Sequence, residues 1–160
     1  MTKSIWTCFA LAFTLLMFTS CGGSSTPTAP TAPTAGAFIV TEAPNPIIAT
    51  AGSQGFHFTA TFSLTVREAA GLGGNVNVVN VTLRNATNGL ELNTINFSAT
   101  DIFNRAGTNH IAALATLNIN GLGELYTLGG GGRQATMTIA VQIGDDAGHI
   151  VNQVLTVPIV

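Results

Sequence analysis

The sequence predicts an all-β fold: one antiparallel sandwich of about seven strands, spanning residues 37–160. Three observations predict it. Apolar residues recur with period two in segment after segment, most clearly in "FHFTATFSLTV", where Phe56, Phe58, Ala60, Phe62, Leu64 and Val66 alternate with His57 and hydroxyl residues. The segments are separated by clusters rich in turn residues, "AGSQG", "AAGLGGN", "NATNG", "NRAGTN" and "DDAG". No long stretch carries the 3.6-residue period of an amphipathic helix.

Ahead of the domain lie two segments of different character. Ile5 to Phe18 is apolar apart from Thr7 and Thr14 and follows a start containing Lys3. At about 14 residues it is shorter than the roughly 20 that cross a bilayer as a helix, and it fits the apolar region of an export leader. The leader ends in "FTSC", and this motif resembles the lipobox of bacterial lipoproteins, with Thr19 and Ser20 at the small-residue positions and Phe18 where leucine is usual. That resemblance implies cleavage after residue 20, a diacylglyceryl thioether on Cys21 and a further acyl chain on the freed amine, palmitate being the usual class. Two or three chains hold a protein to a membrane where one holds only marginally. It also implies a cell-envelope address, and Gly22 after the cysteine, in place of aspartate, favours the outer membrane over the inner. The alternative is a conventionally secreted chain in which Cys21 is incidental. Cys8 leaves with the leader on the lipoprotein reading, so no disulfide is available there, and pairing Cys8 with Cys21 would require an uncleaved leader.

Residues 21–36 form the anchor cysteine and a Ser/Thr/Pro/Ala linker that contributes nothing to a core. "PTAPTAPTA" sets Pro27, Pro30 and Pro33 in step with the three-residue turn of polyproline II. About 15 such residues, at roughly 3.1 Å each, make a spacer of up to about 45 Å.

Within the domain, strands are expected near 37–50, 56–67, 75–84, 90–98, 110–119, 135–143 and 149–159. The first is broken at "APNP", because proline cannot donate to a ladder, and the break lets the chain pass from one sheet to an edge of the other. In "VNVVNVTLR" the alternation slips at Val78 and Val79, as a β-bulge or burial of both faces would make it. Met137, Ile139, Val141 and Ile143 share one face, as do Val151, Leu155, Val157 and Ile159. Strand order and lengths, with the closing "IGDDAGHIVNQVLTVPIV", resemble bacterial immunoglobulin-like and fibronectin-like domains.

Charge excludes some functions. Only 8% of residues are charged, and without Lys3 four arginines face seven acids, so no basic surface for nucleic acid can be built. The resemblance would gather Arg67, Glu68, Asp101, Asn104, Arg105, Asp145, Asp146 and His149 at one end. Glu68, Asp101, Asp145 and Asp146 are then candidate Ca²⁺ ligands by position, although they lack the tight spacing of a calcium loop. The competing reading is turn chemistry: Asp145 and Asp146 suit a hairpin, and Asp101 the start of a helical turn through Arg105. On that reading the chain takes no metal and no cofactor.

His57, His110 and His149 stand in no catalytic motif, and "GLGGN" and "LGGGGR" lack the lysine and helix of a phosphate loop, so no enzyme is expected. The long connection Asn120 to Arg133 carries Leu125, Tyr126 and Leu128, candidates for docking a partner or glycan unless they fold back over the sandwich. The expected protein is a lipid-anchored envelope module for binding, adhesion or structure, without catalysis. An accessory subunit of an envelope complex and a carbohydrate-binding module are the alternatives.

Overall fold

The computed structural model describes residues 31–129 and 132–160. The leader, Cys21 and most of the linker lie outside the described residues. Residues Ala32–Val160 cluster as one unit.

Nine strands and one helix make up this unit among the described residues, against the seven strands expected. One sheet is centred on β3 (Phe58–Glu68). β1 (Phe38–Ala43) and β2 (Ala49–Ala51) share one of its edges, and β7 (Thr116–Tyr126) runs along the other. The second sheet has the order β5–β4–β8–β9, formed by β5 (Glu91–Ser98), β4 (Gly74–Asn85), β8 (Ala135–Asp145) and β9 (Ile150–Ile159). The two-residue β6 (His110–Ile111) pairs with the start of β4. Every pairing between named strands is antiparallel.

The alternating residues meet between the sheets. Phe62, Leu64 and Val66 of β3 are buried, as are Val79, Val81 and Leu83 of β4 and Met137, Ile139 and Val141 of β8. Each large side chain so buried contributes about 1.5–3 kcal/mol, which makes this layer the main source of stability. Outward residues of β3, β4 and β7 are mostly Thr, Asn and Ser, whereas Ile39 of β1 and Ile150 and Val154 of β9 are exposed apolar side chains.

Two irregularities foreseen in the sequence are present. After Pro44 and Pro46 the chain leaves β1, and Ile47 bridges Ile159 in parallel at the edge of the second sheet. Both Ala43-Pro44 and Asn45-Pro46 are cis. In β4 the register with β8 shifts between Val76 and Val78, so Val76 and Val79 both face the core although three residues apart. The slip at Val78 and Val79 is thus a β-bulge.

Two departures account for the different count. The first expected strand is two, divided by the prolines. The expected strand 110–119 is also two: β6 ends at Ile111, Ala115 N donates to Ala112 O in a turn, and the chain crosses to the first sheet as β7. β7 then runs well past Ile119, because a second bulge lies in it. Phe62 pairs with Leu122 but Leu64 with Ile119, leaving Asn120 and Gly121 opposite one residue, with Gly121 at φ 66. That conformation suits glycine.

Candidate functional site

Glu68 extends the inward alternation of Phe62, Leu64 and Val66 to the last position of β3, where it is 1% exposed. Its carboxylate accepts backbone N–H groups of Ala70 at 2.7 Å, Gly71 at 2.8 Å, Leu114 at 2.8 Å and Ala37 at 3.4 Å. Burial pushes the carboxyl up, but these four donors outweigh it and hold the group at about 2. One ionised side chain thereby ties together the β3–β4 turn, the β6–β7 crossing and the residue just before β1.

Asp145 ends β8 at the same end of the sandwich. It accepts Gly36 N at 2.9 Å, Ala147 N at 3.0 Å and His149 N at 2.7 Å, with His149 Nδ1 at 3.1 Å. The Gly36 N–H foremost, then the His149 contacts, outweigh burial and bring its carboxyl to about 2. Close packing needs glycine here: a Cβ on Gly74 would meet the Phe38 ring at 2.7 Å and Gly144 O at 2.8 Å. Asp146 lies 3.3 Å from His110 Nε2 in an exposed pair.

Asp101 serves elsewhere. α1 (Ala99–Ala106) begins with a capping box in which Ser98 Oγ accepts Asp101 N and Asp101 Oδ2 accepts Ser98 N at 2.8 Å. Hydrogen bonds from the Ser98 side chain and backbone, aided by Arg105, lower its carboxyl below the usual value. Arg105, in the last turn, donates to Gly121 O and lies over the Phe97 ring at 5.2 Å.

The four candidate calcium ligands therefore divide: Glu68 and Asp145 are spent on backbone N–H groups, and Asp101 on its helix. Among the described residues no group of three or more His, Cys, Asp and Glu side chains is placed to hold a metal ion. Of the histidines, His57 is exposed but precedes β3, which begins at Phe58, and Phe56, expected to face inward on the same alternation, is exposed as well; the other two sit beside Asp145 and Asp146.

The candidate docking loop is corrected. Tyr126 is fully buried, Leu128 is 4% exposed and Leu125 is half-buried on the outer face of β7. The bulge at Gly121 reverses the phase of β7, so Leu122, Glu124 and Tyr126 point inward and the side chains close the sandwich. Tyr126 Oη donates to Arg133 O at 2.8 Å. Arg133 itself lies over the Phe58 ring at 5.8 Å and lines an open cleft of about 470 Å³ with Asn85, Thr87, Leu128, Gln134 and Val160.

Sequence reasoning missed Glu124. It is 3% exposed, facing the core from β7, and accepts Asn93 Nδ2 of β5, which also donates to Leu125 O at 2.9 Å. Its Oε2 is buried without a partner. Burial dominates and raises the carboxyl to about 7, with Asn93 opposing. The signal was its spacing, two residues from both Leu122 and Tyr126.

No protein-family model matches the chain, and no curated protein matches it. Among solved structures, Northeast Structural Genomics Consortium target SoR45 is similar, with a TM-score of 0.54 at 10% identity over 78% of this chain and 85% of that one. This likeness concerns the fold alone. The CooA pilin subunit from enterotoxigenic Escherichia coli aligns with a TM-score of 0.31 at 16% identity, over 76% of this chain and 96% of that one, too distant to bear on fold type or function.

Proposed function

We propose that this is a lipid-anchored protein of the bacterial cell envelope, whose single immunoglobulin-like sandwich is a non-catalytic module for binding, adhesion or structure. The observation that carries the reading is "FTSC" directly after the apolar segment and directly before the proline-paced spacer. A membrane anchor, a spacer and a domain in that order make a tethered module.

Two features of the domain support it. The order β1–β3–β7 in one sheet and β5–β4–β8–β9 in the other, with the chain switching edges after Pro46, suits an immunoglobulin-like or fibronectin-like type. The point where the linker joins the domain is secured, because Gly36 and Ala37 donate to Asp145 and Glu68. The Arg133 cleft lies at the other end of the strands, leaving that end free for a partner or glycan.

Intact-mass spectrometry of the membrane fraction tests the reading, comparing the native chain with Cys21→Ser. The expected result is a mature chain that begins at Cys21 and is heavier by two or three acyl chains, with the variant lost from the membrane. An unlipidated chain cut elsewhere would overturn it and leave a freely secreted domain.

A further inference from the structure

Glu124 and Asn93 stand at one side of the sandwich, where the edge strand of each sheet comes beside the other. α1 packs against both β5 and β7 and closes part of this side. Beyond the helix, the side-chain link across the gap is Asn93, which donates to Glu124 Oε1 and to Leu125 O. An orphaned carboxylate oxygen in such a place is costly when charged and far less so when the group is neutral.

Charged groups on the surrounding elements do not offset it. On β3, Glu68 is engaged by backbone and Arg67 lies near it at the far end of the strand. On β4 and β5, Arg84 and Glu91 pair with each other at 2.9 Å on the surface. α1 offers Asp101, held by Ser98, and Arg105, turned to Gly121 O and Phe97, while His110 of β6 faces Asp146. On β7 itself the other titratable group is Tyr126, bonded to Arg133 O.

We propose that Glu124 and Asn93 form a proton-controlled latch: while Glu124 is neutral the two sheets stay closed along β5 and β7, and loss of its proton to solvent releases β5 from β7. The closed form has Asn93 bridging the gap. The open form hydrates the carboxylate and bares two strand edges, the chemistry by which a sheet accepts a further strand. A carboxyl held at about 7 places the change near neutral pH.

Hydrogen exchange on the purified full chain tests this, with rates divided by the intrinsic chemical rate at each pH. Between pH 5 and 8 the open population reported by Glu91–Ser98 and Thr116–Tyr126 is expected to rise roughly 70-fold, as linkage for a carboxyl moved from its ordinary value to about 7 requires. Glu124→Gln should flatten that rise. Equal pH dependence in the two proteins overturns the latch, as does a rise of the same size in β8, which would mean global loosening. Should the variant fail to fold, carbon-13 titration of the Glu124 carboxyl in the native chain decides: a midpoint near 7 supports the latch and one near 4.5 overturns it.

Discussion

Glu68 and Glu124 are the same residue type, buried almost equally at 1% and 3% exposure, yet the fold shifts their carboxyls in opposite directions. Glu68 lies at a strand end, where turns leave backbone N–H groups free, and four of them converge on it. Glu124 lies inside a strand, where ladder bonds have consumed the backbone donors, and one side-chain amide is what it receives. Burial raises both. What separates them is the supply of N–H groups, which depends on position along a strand and not on depth.

The largest way to break this contrast is to neutralise each group. Glu68→Gln keeps one acceptor oxygen and turns the other into a donor facing N–H groups, so a loss of about 3 kcal/mol is expected in urea denaturation at pH 7. Glu124→Gln should do the reverse at pH 8, raising stability while leaving it unchanged at pH 4. A loss at both positions and both pH values would show that shape, rather than charge, governs these sites.

Acid and base titration sharpen the same contrast, because the two groups act on opposite sides of an optimum. Glu68 and Asp145, lowered to about 2 from 4.5 and 3.8, stabilise the fold fully above their ordinary values, and that contribution is lost as pH falls through 2. Glu124, raised to about 7 from 4.5, contributes most below 4.5, and its contribution is lost as pH rises from there through 7. Thermal midpoints should therefore peak between pH 4 and 5 and decline on both sides. Glu124→Gln should remove the decline toward neutral pH and leave the acid limb in place.

How legible these sites were in the sequence follows from where the alternation is regular. Glu68 continues Phe62, Leu64 and Val66 in step, so its inward placement could be read directly, although its partners come from turns that no pattern specifies. The bulge in β4 announces itself because Val78 and Val79 are both apolar. The bulge in β7 does not: Asn120, Gly121 and Gly123 carry no hydrophobic signal, so the period-two pattern stops at Ile119 and Leu122 to Tyr126 read as a loop. Glu124 was hidden by that error. Period-two reading fails where a glycine resets the phase, and among the described residues that is also where the buried carboxylate oxygen without a partner lies.

The smallest expected effect concerns a third carboxylate under the same rule. Asp101 also gains backbone N–H at the end of a strand, from Ser98, but it does so in solvent, where water offers comparable bonds. If donor supply sets charge state and burial sets how much that matters, the capping box should count far less than the Glu68 cluster. Ser98→Ala removes the hydroxyl that accepts Asp101 N and should cost about 1 kcal/mol, read from the same urea curves, with the pH profile of stability otherwise intact. A loss as large as that of Glu68→Gln would mean that α1 holds the β5–β7 side closed more firmly than its exposed cap suggests. Ile102, its one buried residue, would then be the place to look, since it fastens the helix to the core beside the strands that the latch joins.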